Sequence, residues 1–524
     1  MNHNNFYIEL LCRHSGWDTF LTLEPGREFM LPGFGFSETL WTFKGIQKVK
    51  KRAGYPTCII ILVLFLTFPV SGQTTNNPFP DPIETVEGLI IVDVVDFASI
   101  PDSDGQPARM MLLVNEPGTG RMFVNDMRGP LFSVSYDGRE VIQFLNINDP
   151  VWGVGVESGG RERGFQSFAF HPDFGQSDTP GYGRFYTWSD IQDNESPADF
   201  IPGGGNNTHH TILHEWMATD PRNDTYDGGP PRELARFEQP YGNHNAGHLS
   251  FNPFSVPGDP DYGLLYVGSA DGGSGGDPLN LAQDLGSAFG KILRIDPLGT
   301  NSENGRYGIP PDNPYTGEAH EDILGEIYAS GMRNPQRFAW DPLTGNLFMA
   351  DIGQNIVEKV SLVPRGGNLG WNEWEGSYRY ISRSEVNLAN PRSDSGITYP
   401  VVEYGRHDPL MHNRAAVTGV HVYRTNLIPQ LQGRVLFADF VSGEILHFDA
   451  DDLPGGGTGG IRRVLLRNAA GETKTFLELI REQNNRQGRT PATRSDLRFG
   501  TGPDEQLFLL NKQDGTIRLL VPEQ

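Results

Sequence analysis

One phrase is written six times along these 524 residues, and it constrains the fold more than any other feature. A turn with glycine leads into two or three apolar or aromatic residues and then into a polar or acidic end. It reads GRMFVNDMRG around Phe123, GRFYTWSDI around Tyr186, GLLYVGSADGG around Tyr266, GNLFMADIGQ around Phe348, GRVLFADFVSG around Phe437 and EQLFLLNKQDG around Phe508. Three copies follow a second strand-like stretch with a Pro turn, FAFHPDF, LSFNPF and FAWDPLTG, and RFGTGPDE is a looser fourth. The copies lie roughly 60 to 90 residues apart, room for a four-stranded sheet and one long loop. Six such sheets set radially make an all-β fold, a six-bladed β-propeller of four-stranded antiparallel sheets, whose strand edges are short and protected. The 64 Gly and 39 Pro agree, since they favour turns and short strands over long helices. In such a fold the loops of one face converge on a central channel, so residues far apart in sequence can meet there.

The first 72 residues read differently from 73–524, which hold the repeats. KVKKRAGYPTCIIILVLFLTFPVSGQ supplies a basic stretch at Lys48–Arg52, an apolar run from Cys58 to Val70, and small residues at Ser71 and Gly72, as a secretory signal peptide does. The run falls short of the ~18 residues of a membrane span, so export is expected, with a short membrane anchor as the alternative. The segment before Lys48 resembles neither a signal nor a domain, and a true start near Val49 is the expectation. Both cysteines, Cys12 and Cys58, lie in this leader, so cleavage near Gly72 leaves no disulfide, thiolate metal site or cysteine nucleophile. Residues 1–72 carry seven Lys/Arg and five Asp/Glu, which puts the remainder near −25 when the whole chain is −23. That charge speaks against nucleic acid or an anionic membrane surface as a partner and suits a neutral sugar or a calcium-loaded protein.

Several chemistries lack support. No H-E-x-x-H or G-x-x-x-x-G-K-[ST] occurs. GGGTGG, Gly455–Gly460, opens no periodic helix and reads as a loop. HHTILHEW alternates as a half-buried strand does, so His209, His210 and His214 are not expected to hold zinc. Three other stretches carry chemistry. In PYGNHNAGHLSF, His244 stands among small residues that leave room for a ligand, and histidine is the usual base for a hydroxyl proton. In GMRNPQRFAWDP, Arg333 and Asn334 suit a flat, polar, anionic ligand. In ADIGQNIVEKV, Asp351, Gly353, Gln354, Asn355 and Glu358 gather oxygens of the kind a hard cation accepts, or form a solvated acidic turn.

ERGFQSFAFHPDF, NHNAGHLSF, GSADGGSGGDPLNLAQDLGSAFGKILRIDP, IYASGMRNPQRFAWDPLTGNLFMADIGQN, GGNLGWNEWEG and AVTGVHVYR resemble, in order, the motifs of the glucose/sorbosone dehydrogenase family of soluble quinoproteins. The resemblance runs from about Gly120 to the C-terminus. It implies a six-bladed propeller with pyrroloquinoline quinone (PQQ) over the channel and Ca²⁺ bound to it, oxidising an aldose at C1 to its lactone. His244 would then take the C1 hydroxyl proton as hydride passes to the quinone, and Arg333 and Asn334 would hold the quinone oxygens. Gly353 and Gln354 by their carbonyls, with Glu358, match the calcium ligands, and Glu162 and Asn243 match residues lining the pocket. A small-molecule sugar and a soluble or membrane electron acceptor would be the partners.

The chain departs from that pattern at two places. Where the family sets a lysine after the fifth-blade strand, this chain has Val441 and Ser442, and its Arg494 and Arg498 fall out of register with the family's Arg-x-Arg pair. Fewer cations for a tricarboxylate predict weaker PQQ binding, with Arg406, His407 and Arg414 the side chains on hand to compensate. The alternatives are a catalytically silent propeller that binds sugar or protein, and a calcium-dependent lactonase. A dehydrogenase needs cationic side chains converging near His244, whereas a lactonase needs metal carboxylates at the channel centre.

Overall fold

A computed structural model of the protein describes residues 73–523, apart from 104, 161 and 318–321. The signal-like segment and its anchor alternative lie outside the described residues. Among those described, no helix is long and apolar enough to cross a membrane.

All six phrases become the second strand of a four-stranded antiparallel sheet: Arg121–Asp126, Arg184–Ile191, Leu265–Ser269, Leu347–Asp351, Arg434–Asp439 and Leu507–Leu510. The stretches before them become the innermost strands, Phe165–Phe170, Ala246–Phe251, Pro335–Trp340 and Arg498–Thr501, joined by Met110–Glu116 and Val417–Tyr423. Each inner strand packs beside that of the next sheet, and the ring closes from Arg498–Thr501 back onto Met110–Glu116. The expected six-bladed propeller is what forms.

The second strands read as apolar runs because each blade is covered on both faces by its neighbours. Six separate hydrophobic cores fill the six seams between blades. Phe123, Phe165, Phe185 and Trp216 fill the seam between the first and second blades, and Tyr266, Trp340 and Met349 that between the third and fourth. A fully buried side chain of this size contributes roughly 1.5–3 kcal/mol, so the seams hold the blades together. The same double burial corrects the reading of HHTILHEW. Strand His209–Met217 is buried along its length except Met217, so it is covered on both faces. Among the described residues no three His, Cys, Asp or Glu side chains gather as a metal site.

Ring closure uses a strand without any copy of the phrase. Ile90–Ser99 runs antiparallel to Thr516–Val521 and completes the sixth blade from the other end of the described chain. Its first residues, Ile90 to Asp93, also pair in parallel with Val464 to Arg467 of the fifth blade. Two outer edges are thereby covered.

Two insertions shape one face. The fourth blade carries a small sheet of Trp374–Glu375, Tyr378–Ser382 and Glu385–Asn387, joined by Thr74–Thr75. Before the sixth blade, helix Phe476–Arg486 starts at a capping box of Thr475 and Glu478 and buries Phe476, Leu479 and Ile480 against the fifth and sixth blades.

Strand direction decides where chemistry can collect. In every blade the inner strand leaves one face and the second strand returns to it. The turn after the second strand and the crossover into the inner strand therefore share that face.

Candidate functional site

That shared face holds a cavity of about 400 Å³ at the propeller axis. His244 lies on the crossover into the third blade, and Arg333 and Asn334 on the crossover into the fourth. Gly353 and Gln354 follow the second strand of the fourth blade. The cavity brings all five together with Glu162 and Glu358.

His244 is buried, and its backbone is held at φ 55°, a left-handed conformation that a non-glycine residue rarely adopts. Two carboxylates fix it there. Glu162 accepts the backbone N–H of His244 at 2.9 Å, and Asp271 pairs with ring Nδ1 at 2.7 Å. On the other side of the ring, Arg333 Nη2 lies 3.0 Å from Nε2. Arginine can only donate, so Nε2 is the accepting nitrogen and the ring proton sits on Nδ1 facing Asp271. Asp271 also accepts from Gly273 N–H at 2.9 Å and Trp371 Nε1 at 2.8 Å. Burial pushes the Asp271 carboxyl up, but His244 and Arg333 outweigh it and hold the group below its usual value, so it remains a carboxylate. The arrangement is a base with its tautomer set from behind and its lone pair facing the cavity.

Sequence reasoning missed Asp271, although GSADGG was in view. It is the acidic end of the third phrase. The corresponding acids elsewhere tie down backbone: Asp190 accepts Gly164 N–H, Asp351 accepts Asn334 N–H at 2.7 Å, and Asp439 accepts Ala416 N–H at 2.6 Å. Asp190 also lies 3.4 Å from the His209 ring, but only in the third blade, among these four, does the acid meet a histidine that lines the cavity. In Asp271→Asn an amide donor at Nδ1 would move the ring proton to Nε2, so any reaction that uses Nε2 as its base is expected to slow at least about 100-fold. A variant as fast as the parent would make Asp271 merely structural.

Three expectations need correction. Asn243 does not line the cavity: its Oδ1 accepts Ser274 N–H at 3.2 Å, and Asn245 lines the cavity instead. Of the small residues after His244, Gly247 does not serve to leave it room. Gly247 sits where an added Cβ would lie 2.3 Å from the Pro335 carbonyl oxygen, so its size is set by the packing of two inner strands. Asp351 is no candidate ligand, because its carboxylate holds Arg333 and Asn334 by their N–H groups and pairs with Lys359 at 2.9 Å.

The shortage of cations is also overturned. Arg333, Arg406, Arg414, Arg494, Arg498 and Lys512 line the cavity, against two carboxylates, Glu162 and Glu358. Phe440, just before Val441 and Ser442, lines the cavity, with the guanidinium carbons of Arg494 and Arg498 at 4.9 and 5.7 Å from its ring centre. His407 is exposed and does not line the cavity itself, although Asn413, against which it lies, does. The buried Nε atoms of Arg333, Arg406 and Arg498 make no hydrogen bond. Burial brings Arg498 down to about 10 and pushes Lys512 well below the usual lysine range, the other arginines adding to it. An anionic, planar ligand would satisfy these donors and relieve both costs.

Gly353, Gln354, Asn355 and Glu358 reach the cavity side by side. The loop is held from behind by Glu375, whose Oε1 accepts the N–H groups of Gln354, Asn355, Ile356 and Val357. Glu358 Oε2 accepts Gly353 N–H at 3.1 Å and Val417 N–H at 2.9 Å. Burial raises Glu358 to about 7 despite those bonds. One carboxylate beside backbone oxygens is a donor set for a hard divalent cation, whose charge would offset that burial cost.

The model of the family described as Glucose / Sorbosone dehydrogenase matches residues 109–454. The chain belongs to this family. In Arabidopsis thaliana the HIPL1 protein is 32% identical over 308 residues, 53% of this chain and 43% of that protein. Quinoprotein glucose dehydrogenase B of Acinetobacter calcoaceticus is 26% identical over 251 residues, 45% of this chain and 43% of that one. The matched stretch thus spans less than half the length of either relative. The PQQ-bound aldose sugar dehydrogenase of Streptomyces coelicolor shares the fold, with a TM-score of 0.51 and 20% identity over 82% of this chain and 98% of that one. All six copies of the phrase are present in this glucose/sorbosone dehydrogenase family member, the last of them beyond the matched residues.

Proposed function

We propose that this protein is an exported PQQ- and Ca²⁺-dependent aldose dehydrogenase that oxidises a sugar at C1 to the lactone and passes the electrons to a soluble or membrane acceptor. The single observation that carries the reading is His244 held between Asp271 and Arg333 in a cavity lined by six cationic side chains. Among the described residues, the centre offers arginines and a buried base rather than a cluster of metal carboxylates, which favours oxidation over lactone hydrolysis.

PQQ, when bound, supplies the hydride acceptor. Arg406, Arg414, Arg494, Arg498 and Lys512 would hold its carboxylates, and Arg333 with Asn334 its quinone oxygens. Gly353, Gln354 and Glu358 would hold Ca²⁺. His244 Nε2 takes the proton of the C1 hydroxyl, and Asp271 keeps the other ring nitrogen protonated and steadies the charge that results. Nε2 has one lone pair, and in this structure Arg333 Nη2 occupies it. The base therefore works only when that donor is drawn to another acceptor, and anionic oxygens in the cavity supply one.

The test is calcium-dependent binding of PQQ by the metal-stripped full chain, followed by quenching of tryptophan fluorescence, to which buried Trp371 beside Arg333 contributes. Binding that needs Ca²⁺ supports the reading; no binding at micromolar PQQ removes it. A second effect concerns pH. Glu358 is raised in the folded chain, so its contribution to stability is present below its unfolded value and is lost as pH rises through about 7. The thermal midpoint in EDTA should accordingly fall between pH 6 and pH 8, and Ca²⁺ should raise it more at pH 8. An equal calcium effect at both pH values would show that Glu358 is not a ligand.

A further inference from the structure

A second cavity, of about 670 Å³, opens on the same face between the crossovers into the sixth and first blades. It adjoins the central cavity, with which it shares Arg414, Arg494 and Lys512. Arg109, Arg128 and Arg489 are added on its far side, and Asp496 is the one carboxylate lining it among the described residues. This is the reverse of the chain as a whole, whose net charge is −23.

The cations are fixed in place. Arg109 donates to the carbonyls of Ser158 at 2.9 Å and Gly160 at 3.0 Å, so its hydrogen bonds go to neutral groups. Arg128 is held by Asp126 at 3.1 Å and by the Pro107 carbonyl. Arg489 leaves the end of helix Phe476–Arg486 and pairs with Asp102, and Arg494 pairs with Asp496 at 2.8 Å. Burial, and then the charge of Arg128, push Arg109 below its usual value. Arg128, Arg489 and Arg494 are paired with Asp126, Asp102 and Asp496, so the positive charge left unbalanced rests on Arg109 and Arg414, and a concave wall concentrates its field. The volume lies within the about 300–1,000 Å³ of small-ligand sites, and the recess suits sugar rings better than a protein surface.

We propose that this cleft is an anion subsite that binds the carboxylate or sulfate groups of an acidic oligosaccharide whose reducing end lies in the central cavity. The proposal rests on the sugar-oxidising reading for its substrate and extends it: the substrate class is an acidic saccharide longer than one ring. Arg109, Arg128 and Arg489 select the acidic rings, and the shared Arg414, Arg494 and Lys512, which would hold the PQQ carboxylates, only border the passage between the two cavities.

Calorimetric titration of the full chain without PQQ or Ca²⁺ separates this proposal from the redox reading. The probes are a galacturonic acid trimer, a sulfated maltotriose, maltotriose itself and triglutamate. At low salt, at least one acidic trisaccharide should bind at least about tenfold tighter than maltotriose, an advantage that shrinks as salt is raised. Whichever is tighter tells carboxylate from sulfate. Arg109→Gln and Arg489→Gln should each remove most of that preference, and Arg109→Lys should keep part of it, with unchanged thermal midpoints showing that the variants are folded. Maltotriose bound as tightly as both acidic trimers, triglutamate bound as tightly as either, or a preference that survives both glutamine variants would overturn the subsite. Acidic trimers that bind while no aldose is oxidised with PQQ and Ca²⁺ present would leave the subsite standing and remove the redox reading.

Discussion

His244→Ala is expected to lower kcat for aldose oxidation about 10²–10⁴-fold in protein loaded with PQQ and Ca²⁺, while PQQ still binds. That is roughly 3–5 kcal/mol of transition-state stabilisation. The expectation follows from the position of the ring, not merely from its type. Asp271 holds Nδ1, Glu162 holds the backbone N–H, and Nε2 is left as the accepting atom in the cavity. Removing the side chain leaves the cations that line the cavity in place, so cofactor affinity and turnover should separate. A variant that lost PQQ affinity in step with turnover would show that His244 holds the cofactor and is not the base.

The second large effect is on stability. Gly247→Ala should destabilise the fold by about 3 kcal/mol, because the new methyl would meet the Pro335 carbonyl oxygen at 2.3 Å and the Gly268 carbonyl oxygen at 3.1 Å. Both are backbone atoms of strands near the axis, and neither can turn aside as a side chain would. Gly459→Ala is the control, since nothing lies within 4 Å of its added Cβ, and it should stay within about 0.5 kcal/mol of the parent. Urea midpoints of the two variants decide the matter. Equal midpoints would mean that the inner strands of the third and fourth blades yield easily, and that Gly247 is small for some other reason.

The architecture was legible because the second strand of each blade is buried on both faces and so cannot alternate. Its apolar run and glycine turn repeat visibly, and all six copies fall on the same strand position. Ile90–Ser99 escaped because it completes the sixth blade from the far end of the chain and carries no such phrase. The site was legible only where one short stretch carries several of its groups. His244, Arg333, Asn334, Gly353, Gln354 and Glu358 come from three such stretches and do meet. Arg406 and Arg414 come from the crossover into the fifth blade, Arg494 and Arg498 from the entry into the sixth and Lys512 from the turn after its second strand, and nothing in their spacing says that they share a cavity. Asp271 was hidden differently. In sequence it looks like Asp190, Asp351 and Asp439, which bind backbone N–H groups, and only the fold reveals that its partner is an imidazole.

Dye reduction by the metal-stripped full chain tests the central claim most directly, measured with a panel of neutral and acidic aldoses after adding PQQ, Ca²⁺, both or neither. The account predicts turnover only when both are present, and its loss in His244→Ala. PQQ and Ca²⁺ bound by the protein without reduction of dye by any aldose would contradict it, and would leave a propeller that binds its ligands without oxidising them.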